Sequence, residues 1–196
     1  MKRITLIGSL TYGGAERQMV VLAQLLSSEG YDVFFVALGN NSFYSSELEK
    51  AQIKSISIQA GKLISKLKLT ILFDIFKLYR IVSKEKIEVG ISFLGECNFI
   101  NCIVSMLRPN KYKAITGLRN ARESLMLSKR ELFYAKFERF ALAKVCNSIN
   151  ALAMYNKNFP NYSEKLKVIY NIVELPQPNN TYTIRKSGKT HMPNLI

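Results

Sequence analysis

The chain has 196 residues, with 28 Lys and Arg against 14 Asp and Glu, a formal charge of +14, and 48% hydrophobic residues. That length suffices for one sizeable core, and with 11% aromatics, 10 Gly and 5 Pro the composition excludes disordered, collagenous and low-complexity chains. The basic excess attracts phosphate-rich small molecules, anionic lipid headgroups or nucleic acid, or else reflects a Lys- and Asn-rich genomic composition.

In chain order, residues 4–7 read as a β-branched strand, followed by a glycine-rich turn and a helix over 15–29 closed by Gly30. Residues 32–38 form a second strand, 53–58 a third that alternates with period two, and 69–83 a basic helix. A fourth strand over 89–94 leads to a helix over 97–107 stopped by Pro109, and a fifth strand covers 113–116. Then come a long helix over 130–143, a short strand at 144–146, a helix over 151–158 ending near Pro160, and a last strand over 166–170. Strands that alternate with helices imply a mainly parallel sheet covered on both faces, an α/β, doubly wound, Rossmann-like domain. Residues 174–193, rich in Pro, Asn, Thr and Lys, read as a linker, and 194–196 look like a strand that begins and is cut off.

Several chemistries are excluded. The only histidine is His191, so the first 190 residues hold neither a His-containing metal site nor a Ser/His/Asp triad. Cys97, Cys102 and Cys146 form no C-x-x-C pair and sit in apolar runs, as befits small buried side chains in a reducing compartment. Met1-Lys2-Arg3 has the charge of a signal-peptide start, but the apolar stretch breaks at Gly8 and again at Gly13-Gly14, too early for a signal core. No run reaches the ~18 apolar residues of a membrane span. The expectation is a soluble cytoplasmic protein.

In a doubly wound sheet, ligands bind outside the carboxyl ends of the strands. That rule selects the loop Gly8 to Gly14, then Gly95-Glu96, Gly117 to Arg122, Asn147-Ser148, and Asn171. Adjacent Gly13 and Gly14 let the backbone approach an anion at a helix N-terminus, or serve tight strand–helix packing. Gly8-x4-Gly13 has the spacing of a nucleotide P-loop, but Gly14 stands where Lys is required, and no G-x-G-x-x-G is present. Arg119 and Arg122 offer guanidinium forks for phosphate, or solvated surface. Glu96 is the carboxylate best placed for acid/base work; Glu16, in the first turn of a helix, also simply complements its dipole. The segment 62–86, with Lys62, Lys66, Lys68, Lys77 and Arg80 among apolar residues, reads either as a basic amphipathic surface for an anionic membrane or as a sheet-covering helix with a solvated face. Nucleic-acid-binding patterns are lacking, so no nucleic acid partner is expected.

At Gly13-Gly14-Ala15-Glu16-Arg17 and the helix after it, the sequence resembles the N-terminal half of family 4 GT-B glycosyltransferases. Further matches follow in order: Ile91-Ser92-Phe93-Leu94 with Asn98, Arg119-Asn120 like an S-x-R-N loop, Cys146-Asn147-Ser148, and Val168-Ile169-Tyr170-Asn171. The resemblance implies an acceptor domain over residues 1–173 and, over 174–196, a linker and the start of a donor domain not included in the chain. It implies a retaining, nucleotide-sugar-dependent enzyme of surface glycan synthesis (lipopolysaccharide or capsule) that is peripheral at the inner membrane face, inactive alone and free of a resident cofactor. The acceptor would be lipid-linked or polysaccharide, and Gly13, Gly14, Glu16, Arg17, Glu96, Asn98, Arg119, Asn120, Arg122, Ser148 and Asn171 would line the substrate. The family's E-x7-E motif belongs to the donor domain; Glu88/Glu96 and Glu123/Glu131 repeat the spacing without its Gly-Phe-Gly context. A membrane-docking subunit of a split enzyme, or a non-catalytic phosphate-ligand domain, are the alternatives.

Overall fold

A computed structural model describes residues 2–39, 43–66, 69–119 and 129–171. Among these residues seven strands form one sheet: β1 (Arg3–Gly8), β2 (Asp32–Leu38), β3 (Lys54–Ile58), β4 (Val89–Ser92), β5 (Lys113–Leu118), β6 (Ala141–Cys146) and β7 (Leu166–Val168). Their order is β3-β2-β1-β4-β5-β6-β7, and every pair is parallel. The helices are α1 (Gly14–Ser28), α2 (Ser45–Lys50), α3 (Lys62–Lys66), α4 (Thr70–Lys84), α5 (Gly95–Leu107), α6 (Lys129–Ala135) and α7 (Ile149–Asn158). The doubly wound, Rossmann-like α/β fold expected from the strand–helix alternation is the fold observed.

Burial on both faces explains the near-continuous apolar strands. In β2, Phe34 and Val36 face a core shared with α4, α5 and α6, whereas Val33, Phe35 and Ala37 face a second core with α1 and α2. A buried polar network sets α5 on the sheet. Tyr112 Oη donates to Asn101 Oδ1 (2.7 Å), Asn101 Nδ2 donates to Gly90 O and Ser92 Oγ (3.0 Å each), and Ser92 Oγ donates to Asn98 Oδ1 (2.8 Å). The phenol crosses β4 where Gly90 has no side chain; a Cβ there would overlap the hydroxyl.

The structure corrects the sequence reading at two places. Residues 141–143 belong to β6, and the expected long helix divides into α6 and a 3₁₀ turn over Lys136–Phe140. Ala-Leu-Ala has high helix propensity, but pairing with β5 overrides it. The turn carries Glu138 inward, where its carboxylate receives Lys144 Nζ (2.6 Å) and the Tyr155 hydroxyl in a buried cluster. The basic helix expected over 69–83 is α4, whereas α3 before it and α2 after β2 are short helices that the sequence pattern did not announce. Asn120, Arg122, Lys68 and the whole of 174–196 lie outside the described residues.

Candidate functional site

The chain leaves β1 toward β2 on one side and leaves β4 toward β5 on the other, so β1 and β4, hydrogen-bonded neighbours, flank the topological switch point. The connection after β1 is the glycine loop, and the one after β4 is the short link Phe93-Leu94 into α5.

Glu16 organises the glycine loop. Its Oε1 accepts from Ser9 Oγ (2.9 Å) and Thr11 Oγ1 (3.1 Å), so a residue of the first turn of α1 folds back over the loop that precedes it. Gly13, the extended N-cap of α1, makes room for this: a Cβ there would collide with the Glu16 carboxylate. Gly14 is exposed, with nothing within 4 Å of where a Cβ would stand. The two glycines therefore have different work, Gly13 admitting Glu16 and Gly14 leaving the N-terminus of α1 open to an incoming group. Tyr44 Oη donates to Gly13 O (3.4 Å), and Tyr12 stacks edgewise on Phe43 at 5.1 Å. Arg17 is exposed on α1.

Across the switch point, Arg119 leaves the end of β5 and lays its guanidinium 3.8 Å above the ring of Phe93. Its Nη1 donates to Asn171 Oδ1 (2.6 Å), and its carbonyl accepts from Asn147 Nδ2 (3.2 Å). The ends of β4, β5, β6 and β7 thus meet around one cation. Burial lowers the Arg119 pKa from its ordinary value, yet the group stays charged. Its Nε and Asn147 Oδ1 are buried without a hydrogen-bond partner among the described residues. Phe93 also packs in the same core as Leu10 of the glycine loop, which joins the two halves of the site.

The other expected residues occupy varied positions. Glu96, in the first turn of α5, pairs with Arg130 of α6 at the partly exposed rim. Ser148 caps α7, accepting from Ala151 N at 3.1 Å. Asn98, expected to line the substrate, is instead buried, and its amide bridges Ser92 of β4 and Gly117 O of β5 (3.0 Å), tying the two strands together from within. One contributor, Phe93, was missed in the sequence; its signal was Gly117, whose absent Cβ would stand 2.5 Å from Phe93 Cδ1, as glycine inside a strand often marks a close approach. On α4, Asp74 is buried, and burial and then Glu96 push its carboxyl up to about 6. Among the described residues no group of three His, Cys, Asp or Glu could hold a metal ion, and no helix is long and apolar enough to cross a membrane. Burial, with Glu96, Glu16 and Asp74 nearby, pushes the Cys97 thiol up to about 12, so it is no nucleophile.

No family model matches the chain, and no match is found among curated proteins. Solved structures do match. HepE from Anabaena in complex with UDP-glucose is similar at 16% identity and a TM-score of 0.70, over 87% of this chain and 44% of its own. The lipopolysaccharide outer core galactosyltransferase WaaB is similar at 13% identity and 0.66, over 91% of this chain and 50% of its own. The UDP-GlcNAc 2-epimerase from Neisseria meningitidis, bound to UDP-GlcNAc, gives 13% and 0.66, over 87% and 47%. The chain thus spans about half the length of these structures, and what it shares with them is the Rossmann-like fold of one half of a GT-B-type molecule.

Proposed function

We propose that the chain is the acceptor-binding half of a retaining, nucleotide-sugar-dependent glycosyltransferase, acting on a lipid-linked or polysaccharide acceptor in surface glycan synthesis. The observation that carries this reading is the carboxyl edge of the sheet, where the loop after β1 ends in an exposed α1 N-terminus at Gly14 and the Arg119 cation after β5 is seated on Phe93, which shares a core with Leu10 of that loop. Both are preorganised for negative charge. Free N–H groups at a helix start suit a phosphate, and a cation held by stacking needs no rearrangement when a diphosphate departs. Glu16, Arg17, Glu96, Asn171 and, beyond the described residues, Asn120 and Arg122 would complete the lining; Asn98 and Ser148 would support it from behind.

The donor sugar nucleotide would be held by a second half, supplied by a continuation of the chain or by a separate partner. Galactosyl transfer in WaaB and UDP-glucose binding in HepE support that chemistry by analogy of fold. One further observation favours an acceptor at a lipid surface. On α4, Leu72, Phe76 and Tyr79 form an exposed stripe at helical spacing, continued by Leu69 and by Leu63 of α3. Lys62, Lys66, Lys77 and Arg80 are exposed around it, as expected of a helix lying at an anionic membrane face.

Transfer itself is the test. Labelled sugar from UDP-glucose or UDP-GlcNAc should reach a glycolipid acceptor only when this chain is combined with a donor-binding half, and the product should keep the anomeric configuration of the donor. Robust transfer by the 196-residue chain alone would refute the proposal.

A further inference from the structure

A concavity lies at the opposite edge of the sheet from the strand ends described above, where the chain enters β5, β6 and β7. It has a volume of about 310 Å³, at the lower end of small-molecule sites. Each of the three entries brings a cation. Lys113 opens β5, Arg139 is the last residue but one of the 3₁₀ turn before β6, and Lys165 immediately precedes β7. Met106, Phe140 and Leu142 supply apolar walls, and among the described residues no acidic side chain lines the groove. Of the nearby acids, Glu138 is held by Lys144, and Glu164 is exposed beside Lys165.

The three cations are not equally committed. Lys165 Nζ donates to the carbonyls of Arg139 (2.6 Å) and Ala141 (3.0 Å), which fixes the entry into β6, and Lys113 Nζ donates to Pro109 O. Arg139 lays its guanidinium 4.7 Å from the centroid of the Phe140 ring, and its N–H fork has no hydrogen-bond acceptor among the described residues. A stacked, unspent guanidinium with two ammonium groups near it and an apolar wall below is suited to an anion with an apolar body.

We propose that this groove binds a phosphate group carried on an apolar body, the phosphate against Arg139 and Lys113 and the body along Met106, Phe140 and Leu142. The same chemistry is offered by a lipid phosphate and by a soluble phosphate ester.

Calorimetric titration with decyl phosphate below its micellar concentration tests this, beside phenyl phosphate, inorganic phosphate and phosphatidylglycerol vesicles. Decyl phosphate should bind one to one, at least tenfold more tightly than inorganic phosphate. The exposed-site double variant Arg139→Gln/Lys113→Gln should weaken it at least tenfold while its circular dichroism stays unchanged. Leu142→Asp, which leaves every cation in place, should do the same. Vesicle binding lost in these variants would assign the lipid source, and phenyl phosphate binding equal to that of decyl phosphate the soluble one. The proposal is overturned if the variants bind decyl phosphate as the parent does, if inorganic phosphate or uncharged decyl maltoside binds equally well, or if only Lys77→Gln/Arg80→Gln on α4 weakens binding.

Discussion

The guanidinium of Arg119 rests 3.8 Å above the ring of Phe93, and Phe93 in turn lies against the bare backbone of Gly117. A cation at the carboxyl edge of the sheet is thereby positioned by a glycine two residues before it in β5, through a ring that follows the neighbouring strand β4. The stack replaces part of the hydration that burial removes and leaves Nη1 to Asn171.

Gly117→Ala is therefore expected to do more than fill space. Its methyl group would sit 2.5 Å from Phe93 Cδ1, so the ring must tilt and lift Arg119. Overpacking of this kind costs about 1–3 kcal/mol, to be read as a lower urea midpoint with an unchanged slope. The same variant should weaken binding of phosphate-bearing acceptors even where the protein remains folded.

The adjacent glycines should respond in opposite ways. Gly13→Ala expels the Glu16 carboxylate from its place beside Ser9 and Thr11 and should destabilise by about 1–2 kcal/mol through the lost charged hydrogen bonds. Gly14→Ala meets open space, and alanine is the better helix former, so thermal stability should hold or rise slightly. Its effect should appear in ligand affinity, because the methyl group stands where an anion would approach α1.

Asp74 predicts a pH signature. Its carboxyl titrates at about 6 in the fold against 3.8 when free, the causes being burial and then Glu96 on α5. A raised carboxylate pKa means that the folded state holds a proton the unfolded chain has lost, so this residue makes stability fall as pH rises from about 4 to 6. Above pH 6 the penalty is fully present. Asp74→Asn should stabilise the protein at pH 7 by about 2–3 kcal/mol, leave it nearly unchanged near pH 4 and flatten the profile between, as measured by urea denaturation across that range.

The α3–α4 face gives a salt-sensitive prediction. Flotation with vesicles should show binding to anionic but not zwitterionic lipid, falling as ionic strength rises. Phe76→Glu, at a side chain 56% exposed, should abolish flotation with little change in thermal stability, and Lys77→Glu/Arg80→Glu should shift the lipid dependence by at least tenfold.

The strands and a parallel sheet covered on both faces were legible in the sequence because parallel strands buried on two sides are written as continuous apolar runs bounded by glycine and polar turns; the order of the strands across the sheet was not. The site's backbone was legible for the same reason: strand ends and helix starts follow from those runs, which placed Gly13, Gly14, Glu96, Arg119 and Ser148 at the ligand edge. Side-chain partners were not. Nothing local announces that Glu16 turns back to Ser9, that Arg119 seats on Phe93, or that Asn98 is consumed between β4 and β5, since each depends on residues brought together only by the sheet. The helix expected over 130–143 failed for a related reason. Its helix-forming residues yielded to a strand pairing with β5 and to the Glu138–Lys144 pair, both of which are tertiary.

The central claim is that this chain recognises the acceptor rather than the sugar nucleotide. Equilibrium binding of one preparation to two probes, a short-chain polyprenyl diphosphate bearing one N-acetylglucosamine and UDP-glucose, tests it most directly. Saturable binding of the polyprenyl-linked sugar is expected, at least tenfold weaker in folded Arg119→Ala, with UDP-glucose bound at least a hundredfold more weakly. Tight binding of UDP-glucose, with no measurable affinity for the acceptor, would contradict it.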